Sequence, residues 1–514
     1  MTTMLTVGVE PVNFDEIVTV AREGAGVALG DDAVAAIRKA RASVEILAAA
    51  PTPAYGISTG FGALATRHIP ESMRAKLQRS LVRSHAAGAG SEVEREVVRA
   101  MMLLRLSTLA TGHTGIRLET AETLAGLLTH GITPIVREFG SLGCSGDLAP
   151  LAHCALVLMG EGEVRDTDGV RRPAAEALAK AGLAPVELEA KEGLALINGT
   201  DGMLGMLVLA VHDLRRLLVT ADIAAAMSVE ALLATDRVFA ADLQALRPHP
   251  GQVASAANLV ALLSGSGVMA SHQTPHCNRV QDAYSLRCSP QVLGAARDTL
   301  DHAAAVATRE LASAIDNPVV LEDGRVESNG NFHGAPVAYV LDFLAIPVAD
   351  VASMSERRTD RFLDKARNEG LPPFLADDPG VDSGHMIAQY TQAAIVSELK
   401  RLAAPASVDS IPSSAMQEDH VSMGWSSARK LRRSLDGLTT VLAIEILTAA
   451  RGLDLRRPLT PAPATAAVVA ALRAQVAGPG PDRHLSPEIE MTSDLVRSGV
   501  VLAAANSALP TPLG

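Results

Sequence analysis

The stretch "SPQVLGAARDTLDHAAAVATRELASA", residues 289–314, carries the clearest fold signal in the chain. Ser289 is a favoured helix-capping residue, because its side-chain oxygen can accept a hydrogen bond from a free backbone amide. Pro290 follows at the first helical position, where its missing N–H costs nothing. Apolar residues then recur three and four positions apart, so the stretch predicts one helix of about 25 residues.

Helical patterns of the same kind occur along most of the chain. In "SEVEREVVRAMMLLRLSTLA", Ser91 and Glu94 have the spacing of a capping box, which predicts a helix over about 92–110. Long helices usually pack side by side in bundles. We therefore predict a mainly α fold built as a long-helix bundle. The other long helical patterns cover roughly 202–236, 335–368, 384–403 and 426–453.

Strand signals are few. The stretch "NPVVLEDGRVESNG", residues 317–330, has alternating apolar residues around Asp323-Gly324, a favoured two-residue turn, and predicts a minor β-hairpin. Strands and helices do not alternate, which argues against a doubly wound nucleotide-binding fold. We predict one continuous folded unit, with a small loop-rich N-terminal lobe over residues 1–200 and the long-helix bundle with the C-terminal helices over 201–514.

Composition and charge exclude several classes of partner. The net charge of −12 argues against a nucleic-acid partner, and aromatic residues at 3% argue against base stacking. The four cysteines are sparse and lack CxxC pairing, and the N-terminus lacks the pattern of a signal peptide. The most apolar stretch, 337–354, contains Asp342, Pro347 and Asp350, which favours a buried helix over a membrane span. We therefore expect a soluble, cytoplasmic protein without a membrane partner.

A second stretch, "GSLGCSGDLAP" at residues 140–150, places one serine among glycines. A serine hydrolase would need G-x-S-x-G after a strand, but Gly143, Ser145 and Gly146 give G-x-S-G without one. A phosphate-binding P-loop would need lysine where Asp147 stands. Ordinary turn chemistry between helices remains one explanation of these residues.

A different chemistry also needs this spacing. If the amide nitrogen of Gly146 attacks the carbonyl carbon of Cys144, a five-membered ring closes with loss of one water, and loss of a second water from Ser145 leaves an exocyclic methylene. Glycine suits the attacking position because it has no Cβ to block the sharp turn. The methylene is an electrophile of a kind that no ordinary side chain offers.

The motif "GSLGCSGDLAPLAH" resembles the prosthetic-group motif of the aromatic amino acid ammonia-lyase family, whose Xaa-Ser-Gly triad cyclises into a methylidene-imidazolone. Alanine is usual at the first position, so Cys144 is a departure from the family pattern. This departure should be tolerated, because only the main-chain carbonyl of Cys144 enters the ring. The resemblance implies that the group forms autocatalytically from Cys144, Ser145 and Gly146, with no external cofactor. It extends over nearly the whole chain, through "YGISTGFG" (55–62), "SHAAGAG" (84–90), "LINGTDGM" (196–203), "VQDAYSLRCSPQV" (280–292), "DNPVVLEDGRVESNGNFHG" (316–334) and "SSAMQEDHVSMG" (413–424).

Two positions within the resemblance favour a member that acts on L-histidine and releases trans-urocanate and ammonia, the first step of histidine degradation. Members acting on tyrosine or phenylalanine usually carry His-Leu or Phe-Leu where Ser84-His85 stand, and Asn-Gln-Asp where residues 417–419 read Gln-Glu-Asp. A carboxylate and a second imidazole can hydrogen-bond both nitrogens of a substrate imidazole. An aminomutase, a lyase of tyrosine or phenylalanine, and an inactive amino-acid-binding scaffold remain alternatives.

The resemblance also implies roles for particular residues, each of which taken alone would be read as structural. Tyr55 and Tyr284 are expected beside the prosthetic group, and they and Glu418 are the candidates for the base that removes the β-proton. Arg287 is expected to hold the substrate carboxylate, because a guanidinium binds it in a bidentate pair. Substrate-binding residues expected to complete the pocket are His85, Asn198, Gln281, Asn331 and Phe332.

Partners and metals complete the expectations from sequence. The resemblance implies a homotetramer in which each active site is assembled from three subunits around a small-molecule substrate. The stretch "SHQTPHC" brings His272, His276 and Cys277 close in sequence, but Pro275 breaks the helix that would align both histidines. We therefore predict no metal site.

Overall fold

We analysed a computed structural model of the chain, which describes residues 3–273, 277 and 280–514. The described residues are mainly helical, as predicted. The helices are α1 Phe14–Val18, α2 Asp31–Ala49, α3 Glu71–His85, α4 Arg95–Ala110, α5 Leu118–Thr129, α6 Leu148–Leu158, α7 Ala174–Lys180, α8 Glu192–Ile197, α9 Asp201–Ala231, α10 Ala241–Ala245, α11 Pro250–Leu263, α12 Gly267–His272, α13 Tyr284–Arg287, α14 Ser289–Leu311, α15 Ala335–Leu363, α16 Met386–Leu402, α17 Gly424–Leu455, α18 Pro463–Arg473, α19 Ser486–Arg497 and α20 Val500–Ser507.

The strands are short and form four small sheets in the described residues. Strands β1 and β2 pair in parallel, β3 pairs antiparallel with β5, β4, β6 and β7 form a three-stranded sheet, and β8 and β9 form a hairpin. The strands are β1 Met4–Val7, β2 Gly26–Leu29, β3 Ala89–Glu92, β4 Thr133–Pro134, β5 Arg137–Phe139, β6 Glu163–Arg165, β7 Arg171–Pro173, β8 Val319–Val320 and β9 Val326–Glu327.

The chain divides into two compact units. The first comprises Met1–Leu209, Ala304–Leu341 and Pro405–Arg429, and the second comprises Ala210–Ala303, Asp342–Ala404 and Lys430–Gly514. The first boundary lies near the predicted one at residue 200, but two later segments return to the first unit. A division at a single point in the sequence could not represent this arrangement.

The predicted long helices are present with small shifts at their ends, and α14 begins at Ser289, one residue before the predicted first helical position at Pro290. The Ser289 hydroxyl donates to the carbonyl of Ser285 at 3.3 Å and accepts from Arg358 Nη1 at 3.5 Å. The predicted capping box at Ser91 and Glu94 is wrong. Ser91 lies in β3, which pairs with β5, and α4 begins only at Arg95 without a side-chain cap. Strand pairing thus uses the residues that would otherwise have capped the helix.

The predicted hairpin is present, but its turn differs. The N–H of Leu321 donates to the carbonyl of Arg325 at 2.8 Å, so the turn encloses three residues rather than two. Gly324 has a φ of +85°, the left-handed conformation that glycine adopts at the end of such a turn.

The core of the first unit is centred on α4, which is buried from Val97 to Ala110. Trp425, the only tryptophan in the chain, is 2% exposed, and its indole N–H donates to the carbonyl of Glu138 at 2.7 Å. A Cβ added to Gly202 would lie 2.5 Å from the indole ring, so the ring fills the space beside the start of α9. These contacts hold the strand that leads into the glycine-rich loop.

The second unit contains a buried ion pair between two of its long helices. Arg358 on α15 and Glu445 on α17 are both fully buried, and Arg358 Nη2 donates to Glu445 Oε2 at 2.8 Å. The other carboxylate oxygen accepts from Ser228 Oγ at 2.7 Å. Among the described helices, α15 is the one long and apolar enough to cross a membrane, but 61% of its apolar window is buried, as in the core helix of a globular protein.

Candidate active site

The first unit contains a cavity of about 460 Å³, a size that suits a small-molecule ligand. Five of the residues predicted from sequence line it together: Tyr55, His85, Ser145, Asn198 and Glu418. These residues come from five separate parts of the sequence. The fold therefore brings residues from motifs that were recognised separately in the sequence to one cavity.

The other predicted residues are placed elsewhere. Cys144 and Gly146 flank Ser145 in the chain, and Asn331 and Phe332 belong to the first unit without lining the cavity. The remaining three, Gln281, Tyr284 and Arg287, belong to the second unit and do not line the cavity either.

The glycine-rich loop before α6 has a backbone that only glycine accommodates. Gly143 and Gly146 have φ values of +66° and +78°. A Cβ on Gly146 would lie 2.1 Å from the carbonyl oxygen of Gly199, and a Cβ on Gly143 would lie 2.1 Å from Ser422 Oγ. Both distances are far below van der Waals contact, so the loop lies directly against its neighbours.

Hydrogen bonds hold the same loop from below. Ser141 Oγ donates to Asp147 Oδ1 at 2.9 Å, the N–H of Met203 donates to Asp147 Oδ2 at 2.8 Å, and the N–H of Asp147 donates to the carbonyl of Gly199 at 2.7 Å. Asp147 is fully buried, and burial raises the pKa of its carboxyl to about 7. A tight, fully supported turn fits the ring closure expected of residues 144–146, because closure needs the reacting backbone atoms to be held together.

Cys144 faces Glu418. Burial, together with the charge of Glu418, raises the pKa of the Cys144 thiol to about 12. The thiol therefore stays protonated and is not a nucleophile at neutral pH. Glu418 itself belongs to a short loop closed by the Ser413 N–H, which donates to the Glu418 carbonyl at 2.8 Å, and Ser413 Oγ donates to the Glu418 carboxylate at 3.1 Å.

His85 lies at the end of α3 with a defined tautomer. Its Nδ1 lies 2.9 Å from the carbonyl oxygen of Leu81 and 3.1 Å from Ser84 Oγ. A carbonyl oxygen can only accept, so Nδ1 carries the proton and Nε2 of the neutral ring has the free lone pair. His85 thus offers one acceptor nitrogen to a ligand in the cavity.

Asn198 offers a second acceptor. Its side-chain Nδ2 donates to the backbone carbonyl of Asn317 at 3.2 Å, and its backbone carbonyl accepts from Arg105 Nη1 at 2.9 Å. Its Oδ1 is buried and has no hydrogen-bond partner in the part of the chain that the structure describes. A buried amide oxygen without a donor costs free energy, so this atom is suited to a ligand donor.

Tyr55 lies in a loop that its own backbone closes. The N–H of Gly60 donates to the Arg67 carbonyl and the N–H of Ile69 to the Ser58 carbonyl, both at 2.9 Å. The N–H of Gly62 donates to the Tyr55 hydroxyl at 3.3 Å.

Most of the other lining residues were not predicted from the sequence, and three of them are polar residues that could contact a ligand. Arg67, Asn317 and Ser414 line the cavity. Asn317 and Ser414 fall inside motifs that were recognised, so their positions were a usable signal, whereas Arg67 lies five residues beyond "YGISTGFG" and carries no signal of its own.

In the second unit, Tyr284 and Arg287 lie on one short helix, α13. The Arg287 guanidinium carbon lies 4.7 Å from the centroid of the Tyr284 ring, a cation–π contact, and Tyr284 is 70% exposed. Arg358 Nη1 donates to the carbonyl of Ser285 at 3.2 Å and supports the helix from below. The pair is therefore a supported surface feature of the unit.

The stretch "SHQTPHC", which was considered as a metal site, lies partly outside the described residues. His272 ends α12, and Cys277 is exposed, but His276 is not among the residues that the structure describes. Over residues 3–273, 277 and 280–514, no three His, Cys, Asp or Glu side chains are grouped to hold a metal ion.

Solved ammonia-lyases and aminomutases share this helical fold. The structure matches a tyrosine aminomutase from Streptomyces globisporus with a TM-score of 0.93 and 38% identity, each chain being covered completely. It matches a histidine ammonia-lyase from Trypanosoma cruzi with a TM-score of 0.91 and 39% identity, over 99% of this chain and 96% of the other.

Sequence comparison is more specific. A protein named histidine ammonia-lyase from Streptomyces coelicolor is 65% identical over 98% of both chains. The family described as aromatic amino acid lyase matches residues 12–474. The chain therefore belongs to the aromatic amino acid lyase family, which confirms the resemblance found in its motifs.

Proposed function

We propose that the chain catalyses the non-oxidative elimination of ammonia from L-histidine to give trans-urocanate, the first step of histidine degradation. The observation that carries the proposal is that His85 and Glu418 line the same cavity as Ser145. An acceptor nitrogen and a carboxylate suit a substrate imidazole, whereas an apolar pocket would leave the nitrogens of that ring without partners. The relatives named histidine ammonia-lyase support the same substrate.

The proposed prosthetic group is a methylidene-imidazolone formed autocatalytically from Cys144, Ser145 and Gly146, without an external cofactor. The positive φ of Gly146 and the close approach of Gly199 support this assignment, since only glycine can occupy the position of the attacking nitrogen. When formed, the group supplies an electrophilic methylene carbon that makes departure of the amine easier.

The chain's own side chains then perform the remaining tasks. The Nε2 lone pair of His85 accepts from one N–H of the substrate ring, and Glu418 either accepts from the second N–H of a protonated ring or takes the β-proton. The base is one of Tyr55, Tyr284 and Glu418. A free tyrosine has a pKa of about 10, so a tyrosine that acts as the base needs a stabilised phenolate.

Apart from Cys144 and Gly146, which flank Ser145, five proposed site residues do not line the cavity of the first unit. Their absence from the cavity supports a shared active site. We propose a homotetramer in which partner subunits supply the functions of Gln281, Tyr284, Arg287, Asn331 and Phe332. The exposed Tyr284, with Arg287 stacked on it, is suited to contact another subunit or the substrate. We propose a cytoplasmic location, with neither nucleic acid nor membrane as partner.

The test is the ultraviolet absorbance of purified protein mixed separately with L-histidine, L-tyrosine and L-phenylalanine, with ammonia assayed in parallel. We expect a urocanate band and equimolar ammonia with L-histidine alone. A β-amino acid product without net ammonia would instead indicate an aminomutase, the activity named for one structural neighbour.

The matched variant is Ser145→Ala, which removes the hydroxyl that would be lost as water but keeps the backbone. We expect an intact fold, no activity, and no loss of two waters from the peptide containing residues 144–146. An active Ser145→Ala protein would overturn the proposed electrophile.

A further inference from the structure

His153 connects two motifs that the proposed chemistry does not itself link. It lies on α6, the helix that begins just after Ser145 and Gly146. Its Nε2 accepts a hydrogen bond from the N–H of Gly88 at 3.1 Å, and Gly88 lies three residues after His85. One side chain thus ties the helix that follows Ser145 to the segment that follows His85.

Close packing makes this tie stiff. A Cβ added to Gly88 would lie 3.0 Å from His153 Nε2, 3.1 Å from the Cβ of Arg137 and 3.2 Å from the carbonyl oxygen of Phe139. A Cβ added to Gly140 would in turn lie 3.2 Å from the Cα of Gly88. The segment after His85 is therefore packed between α6 and β5, with no room for even a methyl group.

The hydrogen bond also fixes the protonation of His153. A backbone N–H can only donate, so Nε2 carries a lone pair and the ring is neutral, with its proton on Nδ1. Burial, together with the charge of Arg137 on the facing strand β5, lowers the pKa of His153. Both effects keep the acceptor available at neutral pH.

His153 does not line the cavity, so it does not touch the substrate. Its effect must pass through the residues that it holds. His85 is fixed on its N-terminal side by the Leu81 carbonyl, and the N–H of Ala87 donates to the His85 carbonyl at 2.8 Å, forming a tight turn toward Gly88. Movement of Gly88 would therefore displace the imidazole of His85.

We propose that His153 is a positioning residue that, by accepting the Gly88 N–H, fixes the distance between His85 and Ser145 and so sets the affinity of the site for the substrate imidazole. This inference rests on the proposed function, in which His85 binds the ring of L-histidine. It predicts an effect on binding that is larger than the effect on turnover.

The experiment compares His153→Gln with His153→Leu in the full-length protein. The glutamine Oε1 can occupy the position of Nε2 and accept from Gly88, whereas leucine fills similar volume without an acceptor. We expect His153→Leu to raise the KM for L-histidine about tenfold, as loss of one buried hydrogen bond does, with kcat changed less. We expect His153→Gln to stay close to the wild-type KM. His130→Leu, which removes an exposed histidine outside the cavity, is the matched control.

Two measurements separate positioning from a purely structural role. The loss of two waters at residues 144–146, measured by mass spectrometry, is expected in every variant, because the loop itself is supported by Asp147 and Gly199. The thermal midpoint reports stability independently of KM. If His153→Leu does not fold, His153→Asn replaces it, because its shorter amide stops short of Gly88.

The outcomes are distinct. An unchanged KM in a folded His153→Leu protein overturns the inference, as does a raised KM that His153→Gln fails to restore. If the wild-type protein is inactive on L-histidine, the proposed function fails and the inference fails with it. An active wild type, together with a raised KM in His153→Leu and a near-normal KM in His153→Gln, supports both the proposed function and the inference.

Discussion

Gly146 lies against Gly199 so closely that a Cβ on Gly146 would lie 2.1 Å from the Gly199 carbonyl oxygen. The contact joins the loop of Ser145 to the segment that carries Asn198. Because the N–H of Asp147 donates to that same oxygen at 2.7 Å, the two segments are held edge to edge. The tolerance of this contact to a single methyl group is directly testable.

Gly146→Ala is therefore expected to abolish ring formation and activity. Alanine at a φ of +78° costs about 1–2 kcal/mol by itself, and the clash with Gly199 adds to that cost. Mass spectrometry should show no loss of two waters from the peptide. The control is Gly169→Ala, where φ is +74° but no atom lies within 4 Å, so only the conformational cost applies. Equal behaviour of the two variants would contradict the role of the contact.

Glu418→Gln should lower kcat/KM for L-histidine about 10- to 100-fold, because a hydrogen bond from a charged group contributes about 1.5–3 kcal/mol. The exposed Glu122, outside the cavity, provides the control Glu122→Gln, which is expected to match the wild type. A loss confined to KM would assign Glu418 to ring binding, whereas a loss in kcat would favour its role as base. If neither kcat nor KM changes, Glu418 neither binds the substrate ring nor acts as the base.

Asp147 predicts a pH dependence of stability with a definite sign. Its carboxyl has a pKa raised from 3.8 to about 7, so between these values the folded protein holds a proton that the unfolded chain has lost. The stabilisation is complete below about pH 4 and is lost as the pH rises through about 7. The thermal midpoint of the wild type, relative to Asp147→Asn, should fall by a few degrees from pH 5 to pH 8.

The control for this pH dependence is Asp168→Asn, which changes an exposed carboxylate in the same unit. Its thermal midpoint should follow that of the wild type at every pH. A constant difference between wild type and Asp147→Asn across the pH range would contradict the buried, protonated carboxyl.

If Arg287 binds the substrate carboxylate as proposed, Arg287→Gln is expected to raise the KM for L-histidine about 10- to 100-fold, because it would remove a bidentate, charge-assisted pair. Arg287→Lys keeps the positive charge but cannot form a bidentate pair, so its KM should lie between those of the wild type and Arg287→Gln. The exposed Arg237 of the same unit provides the control Arg237→Gln. If lysine and arginine prove equivalent, the interaction is one of charge alone.

Glu445→Gln should destabilise the second unit by about 3–5 kcal/mol, because it leaves the fully buried Arg358 without its counter-charge. The double variant Arg358→Leu/Glu445→Leu should cost less, since it buries no unpaired charge. Chemical denaturation of the three proteins provides the comparison. A double variant that is the least stable of the set would indicate that the pair stabilises the fold on balance.

The long helices were predictable because their apolar period and capping residues act locally. Ser289 and Pro290 mark the start of α14, although the Ser289 hydroxyl donates to the carbonyl of Ser285. At Ser91 the local signal failed, because pairing of β3 with β5 outweighs a capping box. Long-range pairing of this kind leaves no trace within a short window of sequence.

The site was predictable only as far as its motifs extend. Of the residues that the motifs indicated, Tyr55, His85, Ser145, Asn198 and Glu418 line one cavity. The motifs did not indicate Arg67, because a side chain reaching a cavity from a loop depends on the path of that loop. Nor can a motif tell whether a residue such as Tyr284 serves its own chain's cavity or another's.

The single indole of Trp425 makes the first unit optically distinct. Its N–H donates to the carbonyl of Glu138, and the ring lies beside Gly202, so its fluorescence reports on the contacts that support the glycine-rich loop in the first unit. Emission and far-ultraviolet dichroism recorded on the same denaturation series would therefore follow different parts of the molecule. Separate midpoints would reveal two steps of unfolding in a chain that has only one tryptophan to report them.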